Sequence, residues 1–410
     1  VLDDCADVMV LEAGGGLPPP RRRGWRCAGA LRGGPPSAIH FYVDNMARNT
    51  AWHALYPLRA KLALSKLSCS PGSPAWMEGA LRLSVERQVA PANQIAYIDA
   101  QGREFHCENG FFDKPYLSDA VTEQTRFRYA SMTKLWTADA VLALVNENKI
   151  GLDTKAVDIL PEIRNQTDPR MNDITVAHLL LHQGGFDRYS MLGIDMFNPN
   201  EEPLCPNHLA ELGTIRLNFT PGSRTSYSNL GYCLLGEIVA RKSGGGTYTE
   251  AMGRLYPLAQ DGLKFIRQQQ ESDEVSYNYV EKGLTGLADI YSSFDYAAAA
   301  SAAGLSGSAL GAAKEIRAML AREKLNITSL PENVSCNLAQ MRDCYGYAMF
   351  PYRENGRSLV WFRDGNLPAA SSVAMVDGEG GVTVLLASGW AESPAEGADE
   401  IKRFIYRSRF

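Results

Sequence analysis

Phe127-Arg128-Tyr129-Ala130-Ser131-Met132-Thr133-Lys134-Leu135-Trp136 holds a serine and a lysine around which the rest of the chain can be ordered. A serine followed three residues later by a lysine, at the head of an amphipathic helix, places hydroxyl and amine on one helical face. Ala138, Val141, Leu142 and Val145 continue an apolar stripe at helical spacing, which sets Ser131 near a helix N-terminus. Unsatisfied backbone N–H groups and the positive end of the helix dipole favour an oxyanion there. The amine can take the hydroxyl proton only when uncharged, a state that burial and neighbouring positive charge both promote. An S-x-x-K is expected about once by chance in such a composition. It occurs once here, so a helix-capping serine is the plain alternative, and the remaining motifs must decide.

A chain of 410 residues can bury a large core and suggests one large or two interleaved domains. Its hydrophobic (45%) and charged (21%) fractions are those of an ordinary globular protein. Net charge is −5, and the longest basic run is Arg21-Arg22-Arg23, which argues against a nucleic-acid partner. No apolar run approaches 20 residues, so no membrane span is expected. The cysteines (5, 27, 69, 107, 205, 233, 336, 344) include no C-x-x-C, which speaks against structural zinc or a redox motif. Cys336 and Cys344 are close enough to pair in a loop, but free, partly buried thiols are the expectation. Asn165, Asn218, Asn326 and Asn333 head N-x-S/T sequons, which matter only in a secreted eukaryotic chain.

Residues 1–73 contain low-complexity runs at 14–23 and 33–36 and are expected to be flexible, with room for a short helix within 38–68. From Pro74 the pattern is globular. A helix is expected over Trp76–Arg87, then a hairpin of Gln94–Asp99 and Glu104–Cys107, then the Ser131 helix ending near Asn148. Further helices are expected over 174–181, stopped by Gly184-Gly185, and over 209–217, 230–242, 248–255 and 308–322. The polar stretch 268–282 reads as a surface loop. Strands return at 345–350, 358–363, 372–376 and 382–387 before a closing amphipathic helix over 395–408. That order satisfies an α/β (α+β) fold: one antiparallel sheet flanked by N- and C-terminal helices, with an all-helical domain inserted. The sheet domain would comprise 74–135 and 285–410, and the helical domain 136–284.

Two further motifs carry chemistry. Tyr227-Ser228-Asn229 lies between a Pro221-Gly222 turn and a helix; its phenol can serve as general acid or base beside cations. A half-buried tyrosine at a helix cap is the plain alternative. Arg363-Asp364-Gly365-Asn366 ends a strand, where a cation followed by glycine lets a ligand approach the backbone. An edge-strand arginine in a surface ion pair would explain it equally well.

In this order and on these elements, the three motifs resemble the serine β-lactamase and penicillin-binding protein superfamily, over residues of about 75–410. The class C β-lactamases and the family VIII carboxylesterases of the same fold are the nearest look. Ile174 to Gly185 is similar to the family's helix before its glycine turn, and Phe219 to Tyr232 to its approach to Y-x-N. One departure is Arg363 where the family has Lys or His, with Asp364 where Thr is usual. Arginine keeps the charge and can grip a carboxylate bidentately, but it cannot shuttle a proton. Its charge is also expected to help keep Lys134 neutral.

The resemblance implies covalent catalysis on Ser131 with Lys134 and Tyr227 catalytic and with Asn229, Arg363, Gly365 and Asn366 binding substrate. The N–H groups of Ser131 and Asn366 would hold the oxyanion, with no metal or cofactor. The expected activity is hydrolysis of small carboxylic esters, because the family's esterase branch often lacks a threonine-bearing third motif. Hydrolysis of β-lactams or D-amino-acid peptides is the runner-up, acyl transfer is open, and a non-catalytic binder of peptidoglycan-like ligands is the reading from another class. A soluble protein is expected, periplasmic or secreted ahead of cytoplasmic. His178 and His182 stand at i, i+4 without an H-E-x-x-H glutamate, so they read as structural. Absence of G-x-S-x-G and G-x-G-x-x-G argues against an α/β-hydrolase and a nucleotide loop.

Overall fold

Strand β10 (Val382–Ala387) shows what organises the molecule. Val382, Val384 and Leu386 join one apolar cluster while Leu385 and Ala387 join another, so both faces of the strand are covered. A computed structural model describes residues 50–51, 54–114, 116–187, 202–277, 290–291, 294–332, 336–389 and 394–410, with the side chains of 394–397 left out. These belong to one unit, Arg48–Phe410; the other, Val1–Ala47, lies outside the described residues, as do the low-complexity runs, Cys5, Cys27 and Asn333.

The main sheet has seven strands in the order β1-β3-β2-β10-β9-β8-β7, every pair antiparallel. They are β1 (Ser68–Cys69), β2 (Asn93–Ile98), β3 (Glu104–Asn109), β7 (Phe350–Tyr352), β8 (Val360–Leu367), β9 (Ala370–Asp377) and β10. A second sheet joins β4 (Phe127–Arg128), β5 (Lys264–Phe265) and β6 (Leu305–Gly307) in the order β4-β6-β5. A helix over 54–64 (α1) precedes β1, so this part of 1–73 is ordered. Helix α2 (Ala75–Arg87) buries Met77 and Leu81 on one side of the sheet.

Between the strands run α3 (Lys134–Asn146), α4 (Val176–Leu180), α5 (Asn229–Lys242), α6 (Tyr248–Leu255) and α7 (Ala309–Met319); α8 (Pro394–Arg409) closes the chain. Helix α8 packs beside α2, whereas α7 covers the opposite face over β2 and β10. The antiparallel sheet with flanking terminal helices and a helix-rich insertion is thus the observed fold. The insertion also holds β5. Helix 209–217 shrinks to Leu209–Leu212, and the segment at 345 is not yet strand; pairing begins at Phe350.

Two expectations are corrected. Cys69–Cys107, Cys205–Cys233 and Cys336–Cys344 are disulfides rather than free thiols. The first staples β1 to β3, where strand register puts the two cysteines opposite each other. The stretch 268–277 is a surface loop only in part: residues 268–270, 272 and 273 are exposed, whereas Glu274 is fully buried against Arg128, which is itself fully buried in β4. The buried Arg128 guanidinium on β4 requires counter-charge from a distant polar segment, and composition alone does not reveal that pairing. Residues 278–282 lie outside the described residues.

Candidate active site

Ser131 occupies a 3-10 turn, Ala130–Thr133, that runs directly into α3. The turn is entered through Ala130 at φ 49°, a left-handed conformation that costs an alanine on the order of 1 kcal/mol and must be imposed by its surroundings. Lys134, three residues on, is fully buried beneath Ser131. Its Nζ donates to Asn229 Oδ1 (2.8 Å) and Ala302 O (2.9 Å) and stands 3.4 Å from Ser131 Oγ. An amine that spends two N–H bonds on those two acceptors turns its remaining valence to the serine.

Tyr227 and Asn229 arrive at the entry of α5, where the Ser228 hydroxyl caps the helix by accepting from Gly231 N–H. The cap fixes the backbone so that Tyr227 and Asn229 flank it. Tyr227 Oη donates to Ser131 Oγ at 2.7 Å. Both Ser131 and Tyr227 are partly exposed, while Lys134 and Asn229 lie beneath them. Four residues into α5, Cys233 is tied to Cys205.

The third motif lies on β8, which passes directly behind the Ser131 turn. A Cβ on Gly365 would stand 2.6 Å from Ser131 N and Tyr129 O and 2.7 Å from Met132 N, so only glycine lets the strand approach this closely. Asn366 follows it, opposite Ser371 of β9. Strand alternation sends Arg363 and Asp364 to opposite faces. Asp364 accepts from Lys402 (2.9 Å) and Arg342 (2.5 Å). Burial pushes its carboxyl up, but those two cations outweigh burial and hold it well below the usual range.

Arg363 does not stand in the open as a grip for a substrate carboxylate. It is 1% exposed; its Nε donates to the Ser131 carbonyl (3.3 Å) and its Nη1 to Tyr345 Oη, while Nη2 has no partner among the described residues. Tyr345 also meets His182 Nε2 at 3.0 Å, and His182 Nδ1 accepts from Ser228 N–H at 3.1 Å. Burial, then Arg363 and Lys134, drive the His182 pKa well down, so the ring is neutral with its proton on Nε2 facing Tyr345. His182 itself sits at φ 55°. The chain Ser228–His182–Tyr345–Arg363–Ser131 thus clamps the Tyr227 loop to the serine turn.

All seven residues singled out from sequence therefore fall on three segments that converge on Ser131. His178 caps α4 through Thr175, as its structural reading implied. Sequence reasoning missed Tyr345 and the Ala302 carbonyl, and left His182 without a partner. The small-residue run at 297–310 was the one available signal, since only small side chains let that backbone reach Lys134.

Comparison with known proteins bears on the family and the fold. The Beta-lactamase family profile matches residues 95–405. The chain is 32% identical over 362 residues to the putative fimbrial assembly protein FimD, serogroup D, of Dichelobacter nodosus, covering 88% of this chain and 90% of that one. It is 37% identical over 175 residues to esterase EstB of Burkholderia gladioli, covering 38% and 43%. Its fold superposes on D-amino acid amidase from Ochrobactrum anthropi SV3 with a TM-score of 0.63 at 20% identity, over 82% of this chain and 99% of that one.

Proposed function

The chain belongs to the β-lactamase family, and from that premise we propose that it is a serine hydrolase that cleaves carboxylic esters through an acyl-enzyme on Ser131. The carrying observation is the convergence of Tyr227 Oη (2.7 Å) and Lys134 Nζ (3.4 Å) on one serine oxygen. In this reading Ser131 Oγ attacks the ester carbonyl and passes its proton to the uncharged Lys134 amine, whose two N–H bonds are spent on Asn229 and Ala302. Tyr227, whose Oη donates to Ser131 Oγ, gives its proton to the leaving alcohol and is reprotonated from Lys134. The oxyanion is held by the N–H groups of Ser131 and Asn366, and collapse expels the alcohol, which takes a proton back. Water then attacks the acyl-enzyme by the same route and releases the acid. Asn229 orients Lys134, and Gly365 lets β8 reach the serine turn.

Burial of Arg363 favours esters over β-lactams and D-peptides, whose carboxylate calls for a reachable cation. One observation favours the second reading: Arg363 Nη2 has no partner among the described residues, so a substrate carboxylate could claim it. Three disulfides favour an oxidising compartment, hence a periplasmic or secreted location. No helix among the described residues is long and apolar enough to cross a membrane. A fluorophosphonate should add one adduct by intact mass that Ser131→Ala abolishes; a folded wild type that takes no adduct would be a binder, not an enzyme. Turnover of a short-chain nitrophenyl ester and not of a chromogenic cephalosporin is the expected substrate result, and the reverse would reverse the substrate assignment.

A further inference from the structure

Helix α3 carries a second feature on another face. Asp139 lies five residues beyond Lys134, about 140° around the helix and roughly 7 Å along it. There it lines a cavity of about 570 Å³ bounded by α3, the end of α6 and α7. Asp139 is satisfied, accepting Arg322 Nε (2.6 Å) and Nη2 (2.5 Å) and Tyr256 Oη (2.6 Å). Of the remaining lining carboxylates, Glu323 stands at the exposed rim, and Glu315 and Asp261 have no ion-pair partner among the described residues. Glu315 is only 3% exposed, its carboxyl lies against Asp261 and the Trp136 indole, and its Oε1 makes no full hydrogen bond. Leu255, Pro257 and Met319 give the cavity apolar walls.

A buried carboxylate beside a second one, without a cation, is a costly arrangement that a bound positive charge would relieve. No group of three or more His, Cys, Asp or Glu side chains among the described residues is disposed to hold a metal ion. We infer that this cavity is a binding site for an organic cation, a guanidinium or primary ammonium group on a short aliphatic stem, with Glu315 and Asp261 receiving the charge and Leu255, Pro257 and Met319 the stem. The same environment sets the titration of Glu315: burial first, and Asp261 second, raise its carboxyl to about 7. Binding a cation favours the ionised carboxylate, so it releases a proton near neutrality and tightens as pH rises through 7. Arg322 is held by Asp139, and Glu323 and Lys324 stand exposed at the rim.

Calorimetric titration of the full chain with butylguanidinium tests the site. Expected is one saturable site with a Kd of about 1 mM or tighter, with proton release at pH 7. Glu315→Gln should weaken it about tenfold or more, and Ala318→Trp, at an exposed position of the lining, should block it while ester turnover persists. Absence of saturable binding to wild type, or unchanged affinity in either folded variant, overturns the inference. Because Ser131 labelling is read separately, failure here leaves the hydrolase reading standing, and the converse also holds.

Discussion

Gly365 shows how little tolerance the serine turn has. An added methyl would meet three backbone atoms of the turn at 2.6–2.7 Å, and none of them is the end of a flexible side chain. Strand β8 or the turn must therefore move by several tenths of an ångström, which displaces the Ser131 N–H from the oxyanion position proposed for it. We expect Gly365→Ala to lower kcat about 100-fold in a folded protein, measured against a nitrophenyl ester. His182 supports a different experiment. Its pKa is depressed in the folded state, so below the unfolded value of about 6.5 the unfolded chain binds the extra proton. Stability from this group is present above pH 6.5 and is lost as pH falls through that value toward the folded one. The wild type should lose up to about 1.4 kcal/mol per pH unit more than His182→Asn between pH 6.5 and 5, by urea unfolding.

At the scale of elements, the site is an agreement among the turn before α3, the entry of α5 and the middle of β8. Each is locally determined: α5 by the Ser228 cap, β8 by pairing with β9 over Val360–Leu367, α3 by its buried apolar surface. The elements are held to one another by the Tyr345 hydroxyl, which takes Arg363 from one side and His182 from the other. Tyr345→Phe removes that junction without emptying volume. Its expected effect is a fall in kcat of about tenfold with KM little changed, since the alignment of Tyr227 on Ser131 loosens while the binding surface persists. A loss of stability with kcat intact would reduce Tyr345 to a structural contact. On the other face of β8, Asp364 binds Lys402 of α8 and Arg342, so the residue that departs most from the family pattern serves packing rather than chemistry.

At the scale of the whole molecule, the disulfides matter most where they brace the insertion. Cys205–Cys233 closes a loop of 28 residues and anchors α5 one turn after Asn229. Replacing both cysteines by serine should cost about 3–4 kcal/mol, seen as a lower urea midpoint under non-reducing conditions. An unchanged midpoint would mean that packing around α5 holds it without the bond.

What lies within one element or between neighbours was legible in the sequence: the three-residue step from Ser131 to Lys134, the hairpin β2–β3, the strand β10, the bounds of α6 and the closing helix. Backbone periodicity sets those spacings, so a pattern of apolar residues suffices to read them. Family likeness added the convergence of the three motifs. Packing in three dimensions was needed to see that Arg363 turns inward to the Ser131 carbonyl 232 residues away, that Ala302 holds Lys134 across 168 residues, that Glu274 is buried on Arg128, and that the thiols pair. Contacts between segments so far apart are fixed by how layers pack and by which buried charges need partners, and neither leaves a periodic trace along the chain.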